Sequence, residues 1–148
     1  QPLARVYRID ASDTNEVQFR MLDGINALRA AAGALQVKLS SPLNAAAETH
    51  SREMARQNRP WHFGSDGSSP IDRITRAGYQ GRLLGENISE TFETELHTLS
   101  AWMEAPETRE VILDQRATDI GFAWFQEPSG KIWWTLVVAA TARPGLQG

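Results

Sequence analysis

The stretch Ile132-Trp133-Trp134-Thr135-Leu136-Val137-Val138-Ala139-Ala140 has the period of a β-strand and very little polar surface. Successive strand side chains point to opposite faces. Ile132, Trp134, Leu136 and Val138 therefore share one face, and Trp133, Thr135 and Val137 share the other. A strand with one wet face alternates apolar and polar, so a strand apolar on both faces is covered on both. Just upstream, Ile120, Phe122 and Trp124 alternate with Gly121, Ala123 and Phe125. Gln126-Glu127-Pro128-Ser129-Gly130 then joins the two segments as a hairpin connection.

The rest of the chain supplies the covers. Val17, Met21, Leu22, Ile25 and Leu28 fall on one stripe and predict a helix from Glu16 to Ala32, with Gly33 as its stop. Leu35, Val37 and Leu39 alternate briefly. Ser40-Ser41-Pro42 then announces a second helix, to about Asn58, with Leu43, Ala46, Ala47, His50 and Met54 close to one face. Residues 59–70 form a loop rich in Pro, Gly and Ser. Ser69-Pro70-Ile71-Asp72 starts a short helix to Ala77, with the serine as cap and the carboxylate three residues on. Leu83 to Ser89 reads as a short strand, and Phe92, Leu96, Leu99, Trp102 and Met103 predict a fourth helix ending before Pro106. Helices on both faces of one sheet give an α+β fold, a three-layer α-β-α sandwich around a small central antiparallel sheet. No repeat or linker divides it, so residues 1–148 form one domain with its core at about 15–141.

Composition narrows the chemistry. The 148 residues carry 15 Lys+Arg against 18 Asp+Glu, a net charge of −3, with no cysteine. That length supports a core without staples, and the missing cysteine excludes disulfides, iron–sulfur clusters, Cys-ligated zinc and a thiol nucleophile. A mildly acidic balance argues against nucleic acid as a partner. No apolar run approaches the roughly 20 residues that cross a bilayer. The chain begins at Gln1 without a charged and then apolar leader, and a trimmed start points toward export.

Of the three histidines, His50 lies inside an amphipathic helix and His97 beside the apolar stripe of the fourth, and both read as structural residues. His62 sits between Trp61 and Phe63 in the loop, where function concentrates. Glu86, in Gly85-Glu86-Asn87-Ile88, is a carboxylate inside an apolar strand and needs a cation, a metal or donors. The plainest partner is one of the many arginines. His62 and Glu86 meeting in one cleft would suit a divalent ion or acid–base work. No GxSxG, HExxH, P-loop or GxGxxG pattern occurs. The five tryptophans line either a ligand groove or the core, and core packing is the simpler use.

Taken in order, the motifs resemble the CAP superfamily, also called the SCP domain, in its bacterial, cysteine-free branch. The resemblance rests on Leu43…Ala46…His50-Ser51…Met54-Ala55, on His62…Gly64-Ser65-Asp66-Gly67-Ser68-Ser69-Pro70…Asp72-Arg73-Ile74, and on Gly85-Glu86-Asn87-Ile88. It continues through Trp102-Met103…Pro106…Arg109…Ile112-Leu113…Thr118-Asp119-Ile120-Gly121. It implies an α-β-α sandwich, a secreted or periplasmic protein, and a cleft that in many members holds two His and two acidic residues, sometimes with zinc. His62 matches the first histidine and Glu86 the first carboxylate. The second histidine falls on Thr108 and the second carboxylate on Ala105, with Glu104 one position away. Thr108 is a poor zinc ligand beside imidazole. The resemblance therefore implies a degraded site, with no cofactor expected beyond a weakly bound divalent metal on His62 and Glu86; a tight one would need Glu104, Glu107 or His97.

Two functional readings follow. The first is an exported, non-catalytic module whose cleft binds a lipid-like ligand or an extracytoplasmic envelope partner. The second is a divalent-metal-assisted hydrolase or protease centred on His62 and Glu86. A purely structural role, in which His62, Glu86 and Asn87 tie the loop to the sheet, stands beside both.

Overall fold

The computed structural model describes residues 6–141. A 3-10 turn at Ala11–Asp13 leads into α1 (Thr14–Ala31), β1 (Lys38–Leu39), α2 (Ser41–Gln57) and α3 (Pro70–Arg76). β2 (Gly81–Thr91), α4 (Glu95–Glu104), α5 (Pro106–Ile112), β3 (Asp119–Gln126) and β4 (Ile132–Thr141) follow. The sheet order is β1-β3-β4-β2.

β4 pairs antiparallel with both β2 and β3, and every residue from Ile132 to Ala139 is buried. On one face Trp134, Leu136 and Val138 pack with Val17, Met21 and Ile25 of α1 and with Leu99 and Trp102 of α4. On the other, Val137 and Ala139 pack with Leu43, Ala46 and Ala47 of α2 and Ile74 of α3. This is the α-β-α sandwich that the strand's two apolar faces require.

The helix ends follow local chemistry. Ser40 Oγ accepts from the Leu43 N–H at 3.3 Å. Ser69 and Asp72 exchange the two hydrogen bonds of a capping box at the start of α3. Asn58 stops α2 in the left-handed region at φ 53°, a conformation that asparagine tolerates better than most residues.

Four details differ from the sequence pattern. β1 runs parallel to β3, through Lys38↔Asp119 and Leu39↔Ile120, so the antiparallel sheet carries one short parallel edge. β2 extends two residues beyond the predicted strand at each end, because β4 is long enough to pair with all of it. Phe92 and Leu96 are about half exposed rather than part of the core stripe. Thr94, as cap, starts α4 only at Glu95, which leaves Phe92 ahead of the helix. The chain also turns helical again at Pro106, whose fixed φ suits a first helical turn. Seven residues are too few to show a clear period.

α2 crosses β3 at Gly121, where an added Cβ would fall inside the van der Waals envelope of the Leu43 carbonyl. Backbone cannot yield there as a side chain would. Gly121→Ala should therefore cost about 3 kcal/mol through overpacking. In denaturant titration the midpoint should fall with an unchanged m-value, and a midpoint equal to wild type would show that α2 does not press on β3.

Candidate functional site

Glu86 lies in the middle of β2, opposite Val137 of β4. Strand alternation sends its side chain toward α2 and α3, and sends its neighbours Gly85 and Asn87 toward α5. Asn87 Nδ2 donates to the Thr108 carbonyl at 2.9 Å, and a Cβ on Gly85 would meet Val111 of α5. Consecutive residues of one motif thus serve opposite layers of the sandwich.

On the α3 side the Glu86 carboxylate is almost fully buried, with 2% side-chain exposure. Arg73 Nη2 donates to both of its oxygens, at 3.0 and 2.8 Å. The same nitrogen donates to the His62 carbonyl at 2.9 Å, and Nη1 reaches the Ser68 carbonyl at 3.3 Å. The capping box at Ser69 and Asp72 sets the start of α3 and so aims Arg73 inward. One guanidinium thereby joins the strand, the short helix and both ends of the loop.

His62 Nδ1 lies 2.8 Å from Glu86 Oε1. An ionised carboxylate only accepts, so Nδ1 carries the proton and Nε2 is left as the free nitrogen. The imidazole is about half exposed, at 48% of its side chain. Beneath it, His50 is wholly buried, with Nε2 donating to the Trp61 carbonyl at 2.7 Å and lying 3.9 Å from Glu86 Oε1. His50 Nδ1 is buried without a partner among the described residues.

The charges follow from these contacts. Burial pushes the Glu86 carboxyl up, but the His62 hydrogen bond, the Arg73 charge and the nearby His50 outweigh it and hold the group below the usual carboxylate range. Burial holds the His50 imidazole below its ordinary value against the pull of Glu86. The cluster is therefore an ion pair, Arg73⁺ with Glu86⁻, flanked by two imidazoles.

Sequence reasoning found His62 and Glu86, and the fold brings them into contact. The other candidates stand apart. Thr108 spends its hydroxyl on the Trp102 and Ala105 carbonyls, and Glu104 is exposed at the end of α4. His97, read from the sequence as a packing residue, is instead exposed and bonds its own cap residue Thr94, because α4 starts at Glu95 and turns that position outward. The sequence reading missed Arg73, and it placed His50 correctly in the core without seeing that the core position borders Glu86. Two cavities of about 580 and 570 Å³ flank α2, and neither includes His62 or Glu86 in its walls.

A model of the CAP family, described as the cysteine-rich secretory protein family, matches residues 22–138. The uncharacterized protein YkwD of Bacillus subtilis (strain 168) is 27% identical over 122 residues, which cover 82% of this chain and 47% of that protein. The chain thus spans about half the length of this curated relative. Among solved structures, an outer surface protein of Borrelia burgdorferi superposes with a TM-score of 0.74 at 16% identity. The overlap takes in 93% of this chain and all of that one. An extracellular protein containing an SCP domain from Bacillus anthracis gives a TM-score of 0.79 at 18% identity, over 91% of this chain and 45% of that one. At such identities the likeness carries the fold.

The buried imidazole and carboxylate set an acid limit on stability. His50 binds its proton more readily unfolded than folded, so its contribution is complete above its ordinary value of 6.5 and is lost as pH falls below it. Glu86 behaves the same way below its ordinary 4.5. Melting temperatures from pH 8 to 4 should decline from about pH 6.5 and more steeply below about 4.5. His50→Gln should remove the first decline and keep the second, and a wild-type curve flat to pH 5 would contradict this assignment.

Proposed function

The chain belongs to the CAP, or cysteine-rich secretory protein, family, and from that premise we propose that it is an exported binding module rather than a catalyst. The observation that carries this reading is the fate of Glu86. Both of its oxygens accept from Arg73 and one also accepts from His62, behind a side chain that is 2% exposed. A carboxylate so engaged has little left for a substrate or an ion.

The same contacts speak against the metal-assisted hydrolase. A divalent ion at His62 would meet the Arg73 charge beside its acidic ligand, and Thr108 has only a neutral hydroxyl oxygen to offer in place of imidazole. Among the described residues no group of three or more His, Asp or Glu side chains is placed to hold an ion. The donor set fits a buried ion pair better than a zinc site.

Export, whether by secretion or to a periplasm, is supported by what the structural neighbours are: an outer surface protein and an extracellular protein. Among the described residues no helix is long and apolar enough to cross a membrane. A protein partner at the cell surface is favoured over a lipid-like ligand. Trp102, Trp133 and Trp134 are buried in the core and unavailable to line a lipid channel. The loop held by Arg73 instead presents Trp61 and Phe63 edge to face at 5.5 Å, with the Arg59 guanidinium 3.7 Å above the Trp61 ring.

Calorimetry with zinc, magnesium and calcium on wild type and His62→Ala tests the choice. The expected result is no saturable binding that the substitution removes, and zinc binding lost in His62→Ala would restore the metal-centred reading. Stability gives an independent check. Glu86→Gln leaves the Arg73 charge buried without its carboxylate and should cost about 3 kcal/mol. Adding Arg73→Met should recover most of that loss in thermal melts, whereas equal single and double variants would mean the ion pair is not what Glu86 is for.

A further inference from the structure

The cavity of about 580 Å³ runs along the outer edge of β3, and main chain from Ala123 to Gln126 forms its floor. One wall is Ile9, Ala11 and Gln18, where the N-terminal segment enters α1, and the other is the Ala45, Glu48 and Arg52 flank of α2.

Main chain closes the edge at its first end, and at the far end the Gln126 side chain holds the N-terminal segment, accepting from the Ile9 N–H at 3.0 Å and donating to the Tyr7 carbonyl at 2.7 Å. β1 covers Asp119 and Ile120, and the Ser40 N–H donates to the Ile120 carbonyl at 2.9 Å. At Phe122 two side chains replace the missing strand. Asn44 Oδ1 accepts from the Phe122 N–H at 2.9 Å, and Gln18 Nε2 donates to its carbonyl at 2.8 Å. Strand alternation turns the same two main-chain groups outward again at Trp124 and Gln126. The intervening Phe125 faces β4, as Glu127 does in donating to the Lys131 carbonyl. Among the described residues nothing hydrogen-bonds the Trp124 main chain from the groove side.

We propose that this groove binds an extended peptide, which adds a strand to the open edge of β3. The chemistry selects the occupant. Adjacent N–H and C=O groups that recur every second residue, about 6.6 Å apart, are matched by another extended main chain. A helix has already satisfied those groups internally, and an acyl chain has none to offer. With Phe122 already taken, Trp124 and Gln126 offer two such positions about 6.6 Å apart, enough to pair a peptide of about three residues. Ala45 is exposed and small, and leaves room for a short apolar side chain under α2. Glu48 and Arg52 pair with each other at 3.0 Å, with Arg52 also over the Phe125 ring at 5.1 Å, so that wall favours an uncharged peptide. The groove shares no residue with the His62 and Glu86 cluster, and its fate is independent of the metal titrations above.

The probe is a displayed library of random linear heptapeptides, selected on the wild-type protein, with the best binder then synthesised. Binding should weaken at least tenfold in Ala45→Arg, which fills the groove from an exposed helix position, while the melting temperature of that variant stays at the wild-type value. A peptide N-methylated at alternate residues should also lose at least tenfold, because it cannot pair with the strand. In amide hydrogen exchange the Trp124 N–H should be protected at least tenfold by the bound peptide. Failure to enrich any sequence would overturn the proposal. So would a binder indifferent to both Ala45→Arg and N-methylation, or protection confined to another part of the chain.

Discussion

The constraint on which the rest of the fold depends is that β4 has no wet face. Trp133, Trp134 and Leu136 are wholly inaccessible, and a side chain of that size can be buried only if packed structure stands against it. Two helical layers are the outcome, and β2 and β3 take the two sides of the strand so that its main chain is paired throughout. Close packing does here what cysteines do elsewhere. Phe122 stacks on Trp134 with centroids 5.6 Å apart, and Trp102 meets Phe122 edge-on at 6.5 Å, arrangements that add to the area they bury. The same density forbids a side chain at Gly121, because α2 must come that close to cover the strand.

Burying β4 has a consequence for its neighbour. β2 lies under the same helices, so Glu86 enters the interior with the strand that carries it. A lone buried carboxylate would cost several kcal/mol and would protonate instead. Arg73 and His62 supply the partners, and each comes from a segment that would otherwise be loosely attached. The loop between α2 and α3 has no strand or long helix of its own. Its order comes from the Arg73 bonds to the His62 and Ser68 carbonyls and from the His50 bond to the Trp61 carbonyl. The geometry spends both carboxylate oxygens of Glu86 on holding the loop in place.

The fold was legible in the sequence because its signals are local. Apolar residues on both faces of 132–140, serine caps at Ser40 and Ser69, and the Gln126–Gly130 turn each act within a few residues. α5 escaped because seven residues starting at a proline carry no clear period, and β1 because two residues are too short to show a direction of pairing. The site was half legible. Glu86 announced itself as a charge in an apolar strand, and His62 as a histidine in a loop. Arg73 did not, since nothing in Asp72-Arg73-Ile74 says which way a two-turn helix points after packing. His50 is a subtler case: periodicity buried it correctly, but only the return of the loop reveals that it borders a carboxylate.

β1 covers only two residues of β3, and side chains take over beyond it. On the free side of β2, Trp102 Nε1 donates to the Ile88 carbonyl at 3.1 Å. Along β3 the side-chain cover stops at Phe122, where Asn44 and Gln18 take its two main-chain groups. An exposed edge invites pairing with other chains, and proteins usually shield it. Here the shield is partial and recessed: α2 and the N-terminal segment rise on either side of Trp124, so a flat second sheet cannot reach it. A single extended chain can. Leaving that position open inside a walled groove excludes sheets while admitting a strand, which is the shape a selective peptide site requires.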